Sequence, residues 1–249
     1  SKKFPNGIAN SSGVLGHYLM DHNYNSRVSG DIDGYEDEYY SGRRPSGIII
    51  PNFYYKPDPK RGFLRGYALG GNAYREGWDE QQHQDGLGIE YKNKIKQAGK
   101  WRFGLSAQGE MLPRFENQMR LHPTLKDKWG IPQIEFDVRY SVNEQTMMDD
   151  ATEQSIKMLN DVGLKNVTGQ STHRPPGIAI HELGTARMGR DPKTSILNGF
   201  NQSHDIPNLF VTDGASFCSS AVQNPSLTFM ALTARAVDYA VKELAAKRI

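Results

Sequence analysis

The sequence predicts an α+β fold. Three observations carry that reading: period-two alternation in the middle of the chain, a capped helical repeat after residue 140, and a long helical repeat near the end. Ile48 to Tyr55 is apolar and aromatic, and Pro51 assigns it to an edge strand or a broken one. Trp101, Phe103, Leu105 and Ala107 alternate with Arg102, Gly104, Ser106 and Gln108, the pattern of a sheet with one buried face. Ile134, Phe136, Val138 and Tyr140 repeat it. Between these strands, Met111 to Phe115 and Leu121-His122-Pro123 read as turn-rich connections.

Ser141 and Glu144 have capping-box spacing. Met148, Ala151, Ser155, Leu159 and Val162 then recur at helical intervals until Gly163, and the methionines read as core filler. In the last third, Pro207 to Thr212 reads as a short buried strand ending at Asp213-Gly214. A loop of small residues follows, from Ala215 to Ala221. Pro225 then occupies a first helical position, with Asn224 as its cap. Leu227, Met230, Ala231, Ala234, Val237, Val241 and Leu244 mark an amphipathic helix over 225–246. Lys242, Lys247 and Arg248 lie near its end, where the macrodipole favours cations.

Composition narrows the function. The 249 residues suffice for one large domain or two small ones. Thirty basic against 28 acidic residues leave a net charge of +2, which argues against a dedicated nucleic-acid binder. No apolar run approaches the length of a transmembrane helix, and Ser1 to Gly7 has no apolar stretch behind it to make a secretory signal. One cysteine, Cys218, excludes an internal disulfide and a cysteine zinc site; it reads as a small buried residue. The acidic stretch Asp31 to Glu38 lacks the full ligand spacing of a calcium loop and reads as a solvated loop. Counting Gly and leaving out Tyr, about 42% of the chain is apolar, against ~45–50% for globular domains. A polar enzyme, or a piece that packs against something else, has such a composition.

Two segments could carry chemistry: His181 to Gly189, and Gln223 to Thr228. A zinc-protease reading of His181-Glu182 fails, because position 185 is Thr where a second His is needed. A helix beginning at Pro225 would aim free N–H groups and a positive end outward, suited to an anionic ligand, after a loop that lets a flat ligand approach. The remaining histidines have plain readings. His17 and His22 are structural; His83, His122, His173 and His204 lie in exposed polar loops. Arg187 orders the loop after His181.

His181 to Gly189, Asn208 to Ala215 and Asn224 to Thr228 together resemble the C-terminal signature of the glucose-methanol-choline (GMC) flavin oxidoreductases. Gly13 to His22, Glu110-Met111-Leu112-Pro113 and Asp127 to Pro132 resemble further landmarks of that family in the same order. The resemblance implies FAD as cofactor and a pair of residues over the flavin, His181 and Asn224, 43 residues apart. The His-then-Asn form is most similar to the sugar-oxidising branch. His181 would be the base that takes the hydroxyl proton, and Asn224 would hydrogen-bond the substrate oxygen. Asp213, Gly214 and Ala215 would lie by the FAD ribityl and pyrophosphate, and Asn224, Pro225 and Ser226 by its ring.

The family's Gly-x-Gly-x-x-Gly turn is missing, and Gly86-Leu87-Gly88 is only a fragment of it. The chain therefore reads as the C-terminal half of such an enzyme, inactive alone, needing an N-terminal FAD-binding half. The expected organisation has residues 1–22 and 176–249 completing a Rossmann-like FAD domain, and 23–175 forming an antiparallel-sheet substrate domain. The alternative is a non-catalytic sugar- or partner-binding subunit derived from the same fold. The electron acceptor (oxygen, quinone, cytochrome or a partner subunit) and the compartment stay open.

Overall fold

The computed structural model describes residues 4, 7–38, 47–54, 58–77, 82 and 85–249. In chain order its elements are β1 (Ser26–Ile32), β2 (Gly47–Phe53), β3 (Tyr67–Arg75), α1 (Gly88–Ile95), β4 (Trp101–Glu110), β5 (Gln118–Lys126), β6 (Pro132–Asp137), α2 (Val142–Asp161), β7 (Lys165–Ser171) and α3 (Ser226–Ala245). The chain divides into two compact units. One comprises Tyr24–Gly109 and Gln145–Arg174; the other comprises Ser1–Asn23, Glu110–Glu144 and Pro175–Ile249. Residues 110–144, expected within the 23–175 block, thus group with the two terminal segments.

The first unit is an antiparallel sheet covered by a helix, the α+β arrangement the sequence predicts. Strands run in the order β2–β3–β4–β1–β7, each pair antiparallel. Alternation on β4 buries Leu105 and Ala107, which join Val28, Tyr67 and Leu69 in one core. Met147, Met148, Ala151 and Leu159 of α2 close that core from one side, and Ser155 is buried with them. Inside it, Tyr67 donates its hydroxyl to Asp150 Oδ2 at 2.7 Å; burial, with the Asp150 carboxylate beside it, raises the phenol well above its ordinary value. β2 is the edge strand that Pro51 calls for, and its register slips between Ile50 and Phe53. Tyr55 lies outside the described residues.

Both ends of α2 are specified locally. Ser141 Oγ accepts from Asn143 N at 3.2 Å, and Glu144 Oε2 accepts from Ser141 N at 2.7 Å, so the capping box closes the start. Glu144 also receives Leu112 N and the Arg114 guanidinium. Gly163, at φ +87°, ends the helix in the left-handed conformation. Val162, expected on the buried stripe, is 71% exposed because it falls past the last turn.

The second unit corrects three expectations. Leu121-His122-Pro123 is not a connection but part of β5, which pairs with β6 in a two-stranded ribbon. Its turn-like look has a local cause: the register shifts between Leu121 and Lys126, and His122 Nδ1 accepts the N–H groups of Thr124 and Leu125. Ile134 and Phe136 alternate as expected but stay exposed. Pro207 to Thr212 forms no strand; its backbone makes isolated bonds, Val211 N to Asn201 O and Ser203 N to Leu209 O, with one bridge at Phe210.

The long final helix forms as predicted, but its orientation does not follow the predicted stripe. Leu227, Met230, Val237, Val241 and Leu244 are exposed, while Phe229 and Leu232 pack on Met20, Leu183 and Phe217, and Ala236 is buried. No described helix is long and apolar enough to cross a membrane.

Candidate functional site

The site is assembled by backbone zipping of three distant segments. Met20 and Leu183 exchange a pair of hydrogen bonds, each 2.9 Å, and Gly16 N donates to Thr185 O at 2.8 Å. On its other side the same segment donates from Gly184, Ala186 and Met188 to the carbonyls of Gly214, Ala215 and Ser216. Gly184 has to be glycine. Its φ is +97°, and a Cβ would stand 2.4 Å from Tyr18 O. Arg187 holds this loop in order, with its guanidinium 4.4 Å above the Tyr18 ring and its carbonyl receiving Ile196 N and Leu197 N.

His181 precedes this ladder. Ile180 before it sits at φ +55°, an uncommon conformation for a β-branched residue, and is 84% exposed. His181 itself is half-buried, and its Nδ1 lies 2.8 Å from Nδ1 of His22. The two rings meet edge-on, with centroids 4.8 Å apart. His22 is fully buried, and its Nε2 lies 2.9 Å from the carbonyl oxygen of Ser220. Burial pushes its pKa below the ordinary histidine value and the neighbouring His181 adds to that, against the Ser220 carbonyl and the Asp21 and Glu110 carboxylates.

Ser220 leads to the second cluster. Its hydroxyl accepts from Met111 N at 3.1 Å, which pins the small-residue loop. Ser220 and Asn224 share the lining of a cleft of about 400 Å³ with Met188, Phe217, Pro225 and Leu232. The start of α3 faces it. Pro225 has helical dihedrals and accepts from Thr228 N and Phe229 N, without a side-chain cap. The helix therefore begins one residue later than expected, and Asn224 stands one place farther from it.

The structure thus links His181 to the Asn224 cleft through His22 and Ser220. Asp213, Gly214 and Ala215 line neither cleft described here. Asp213 Oδ1 accepts from Ala215 N at 3.0 Å and caps the short turn Gly214–Ser216. A Cβ at Gly214 would meet Leu183 Cδ2 at 2.5 Å, so packing explains that glycine. Ser226, with an exposed side chain, opens α3. A second cleft, about 480 Å³, is lined by Met20, Asp21, Met119, Phe136, Gly177 and Glu182.

Several plain readings need revision. Cys218 is exposed, with Sγ 3.2 Å from Met188 O. His204 is half-buried and lies 3.0 Å from Ser195 Oγ; His122 is half-buried too. His173 is exposed as expected, and His83 lies outside the described residues. His17 stacks on Phe115 at 3.8 Å, a structural role. His22 and Ser220 are the residues that sequence reasoning missed. Asp21-His22 lay in a segment that carried the resemblance, but its partner is 159 residues away.

The donor set suits a flavin. A flat ring would find small side chains and an apolar wall in the 400 Å³ cleft, and the first turn of α3 would offer N–H groups without helical acceptors.

Comparison with known proteins points the same way. Residues 113–233 match the family described as GMC oxidoreductase. The chain is 29% identical to a 2-methyl-1,2-propanediol dehydrogenase of Mycolicibacterium austroafricanum, over 96% of this chain and 44% of that protein. It is 28% identical to the fructose dehydrogenase large subunit of Gluconobacter japonicus, over 96% of this chain and 43% of that protein. Among solved structures, formate oxidase superposes with a TM-score of 0.58 at 15% identity, covering 93% of this chain and 48% of that one. The chain spans less than half the length of each.

Proposed function

We propose, from the match of residues 113–233 to the GMC oxidoreductases, that the chain is the C-terminal half of an FAD-dependent enzyme oxidising a CH–OH group of a sugar or sugar derivative. The observation that carries this reading is the chain of contacts from His181 through His22 and Ser220 to the cleft of Asn224, in front of the start of α3. Relatives named for fructose, a C-glycoside and pyranose favour a sugar, and the one named for a 1,2-diol shares vicinal hydroxyls with sugars.

His181, neutral, takes the hydroxyl proton: the O–H bond breaks, its electron pair stays on oxygen, and an N–H bond forms. Asn224 hydrogen-bonds that oxygen without changing charge. Ser220, Asn224 and Pro225 would hold the ring, and the start of α3 would stabilise negative charge placed before it. When bound, FAD supplies the two-electron acceptor for the hydride leaving the carbinol carbon. The N-terminal FAD-binding half, in this reading, also covers the exposed face of α3.

The test is anaerobic mixing of the native flavoprotein with a panel of aldoses, ketoses and polyols, followed by flavin absorbance. His181→Ala is expected to slow reduction about 10²–10⁴-fold with flavin retained. Reduction at an unchanged rate removes His181 from the base role.

A further inference from the structure

A base needs more than the right pKa; it needs its lone pair on the right nitrogen. Histidine has two nitrogens, and in the neutral ring one carries the proton. Which one is fixed by the partner of the other. At His181 that partner is another imidazole, and the ambiguity is resolved one step farther back.

The Ser220 carbonyl oxygen 2.9 Å from His22 Nε2 can only accept, so His22 Nε2 carries hydrogen in either charge state. A neutral His22 therefore presents a bare Nδ1. The group 2.8 Å from it, His181 Nδ1, must then be the donor. A neutral His181 with hydrogen on Nδ1 has its lone pair on Nε2. Ser220 is itself fixed, because its hydroxyl receives Met111 N.

We propose that His22 is a positioning residue that holds His181 in the Nδ1–H tautomer, leaving Nε2 bare to take the proton. The proposal rests on His181 being the base. After proton transfer the His181 ring carries hydrogen on both nitrogens, and its Nδ1–H still donates to His22, so the relay needs no rearrangement. Burial supports the neutral state that the relay requires: His22 is fully enclosed, and that enclosure opposes its protonation. Among the described residues, the charged or titratable groups acting on the His22 ring are His181, Asp21 and Glu110, and the Tyr140 hydroxyl donates to the His22 carbonyl at 2.8 Å; the two carboxylates oppose the shift and are outweighed by burial with His181. Protonating His22 would put hydrogen on its Nδ1, force His181 to accept there, and turn His181 Nε2 into N–H. Activity should therefore fall on the acid side as His22 charges.

The test uses the native flavoprotein labelled with ¹⁵N-histidine, and two variants. Imidazole ¹⁵N spectra are expected to show His181 protonated at Nδ1 and His22 at Nε2. His22→Gln keeps an acceptor for His181 and a donor for Ser220; it should retain the His181 tautomer, lose the acid-side limb due to His22, and reduce flavin within a few-fold of the parent. His22→Phe removes the acceptor. It should mix the His181 tautomers and lower the rate of flavin reduction about 10–100-fold, with the substrate concentration for half-maximal rate little changed. If His22→Phe does not fold, the parent spectrum and His22→Gln decide. A His181 ring protonated at Nε2 in the parent, or an unchanged tautomer and rate in folded His22→Phe, overturns the proposal. Full activity of His181→Ala overturns the base assignment instead, and the spectra tell the two failures apart.

Discussion

The two long helices are each 20 residues long, and both carry an apolar stripe legible in the sequence, yet they end up in opposite situations. On α2 the stripe is buried: Met147, Met148 and Ala151 are inaccessible and Leu159 nearly so. On α3 the stripe points away from the body. Leu227 is 78% exposed and Leu244 64%, while a different face, with Phe229 and Leu232, holds the helix down. The starts differ too. α2 is closed by its capping box and by Arg114 on Glu144, whereas α3 begins uncapped by a side chain and faces a cleft. A helix apolar on both faces belongs inside something. In this account α2 finds its partners within the chain, and α3 has two further ones, a flavin at its start and the FAD-binding half along its outer face.

Substitutions can sharpen that contrast. The largest effect is expected at α2. Met148→Ala should cost about 2–5 kcal/mol in urea unfolding of the chain, since it leaves a cavity in the closed core.

Next comes Glu144→Gln, which loses hydrogen bonds to a charged group worth about 1.5–3 kcal/mol. Burial alone would raise the Glu144 pKa, but Arg114, Ser141 and Leu112 N outweigh it, and the value falls below the usual carboxylate one. A carboxylate so depressed stabilises the fold above its unfolded pKa of about 4.3 and loses that contribution as pH falls through the folded value. Unfolding of Glu144→Gln, followed from pH 7 to pH 3, should therefore show a shallower acid decline than the parent.

Ser141→Ala should cost about 1 kcal/mol, the usual worth of a cap. The smallest effect is expected on α3. Val241→Ala should change the stability of the chain by no more than about 0.5 kcal/mol, because the side chain is 60% exposed. The same change should destabilise the native flavoprotein measurably more. Equal costs in both settings would break the contrast.

What the sequence revealed and withheld follows the same line. Local rules were legible. Alternation placed Leu105 and Ala107 inward, Pro51 marked an edge strand, and Ser141 with Glu144 marked a helix start. Non-local facts were not. Periodicity reports that α3 has an apolar face, but not which of two faces the chain itself covers. A register shift disguised β5 as a turn around Pro123. At the site, it was the resemblance to a family that singled out His181 and Asn224. Nothing short of folding could bring His22 to His181 across 159 positions, or show that Gly214 is a glycine because Leu183 crowds it.

The most direct test of the account is amide hydrogen exchange on both helices, in the 249-residue chain alone and in the native flavoprotein. α2 is expected to be equally protected in both, and α3, from Leu227 to Leu244, to exchange at least tenfold more slowly in the flavoprotein. Exchange of α3 at the same rate in both would contradict the claim that its outer face and its start are completed by a flavin-binding half.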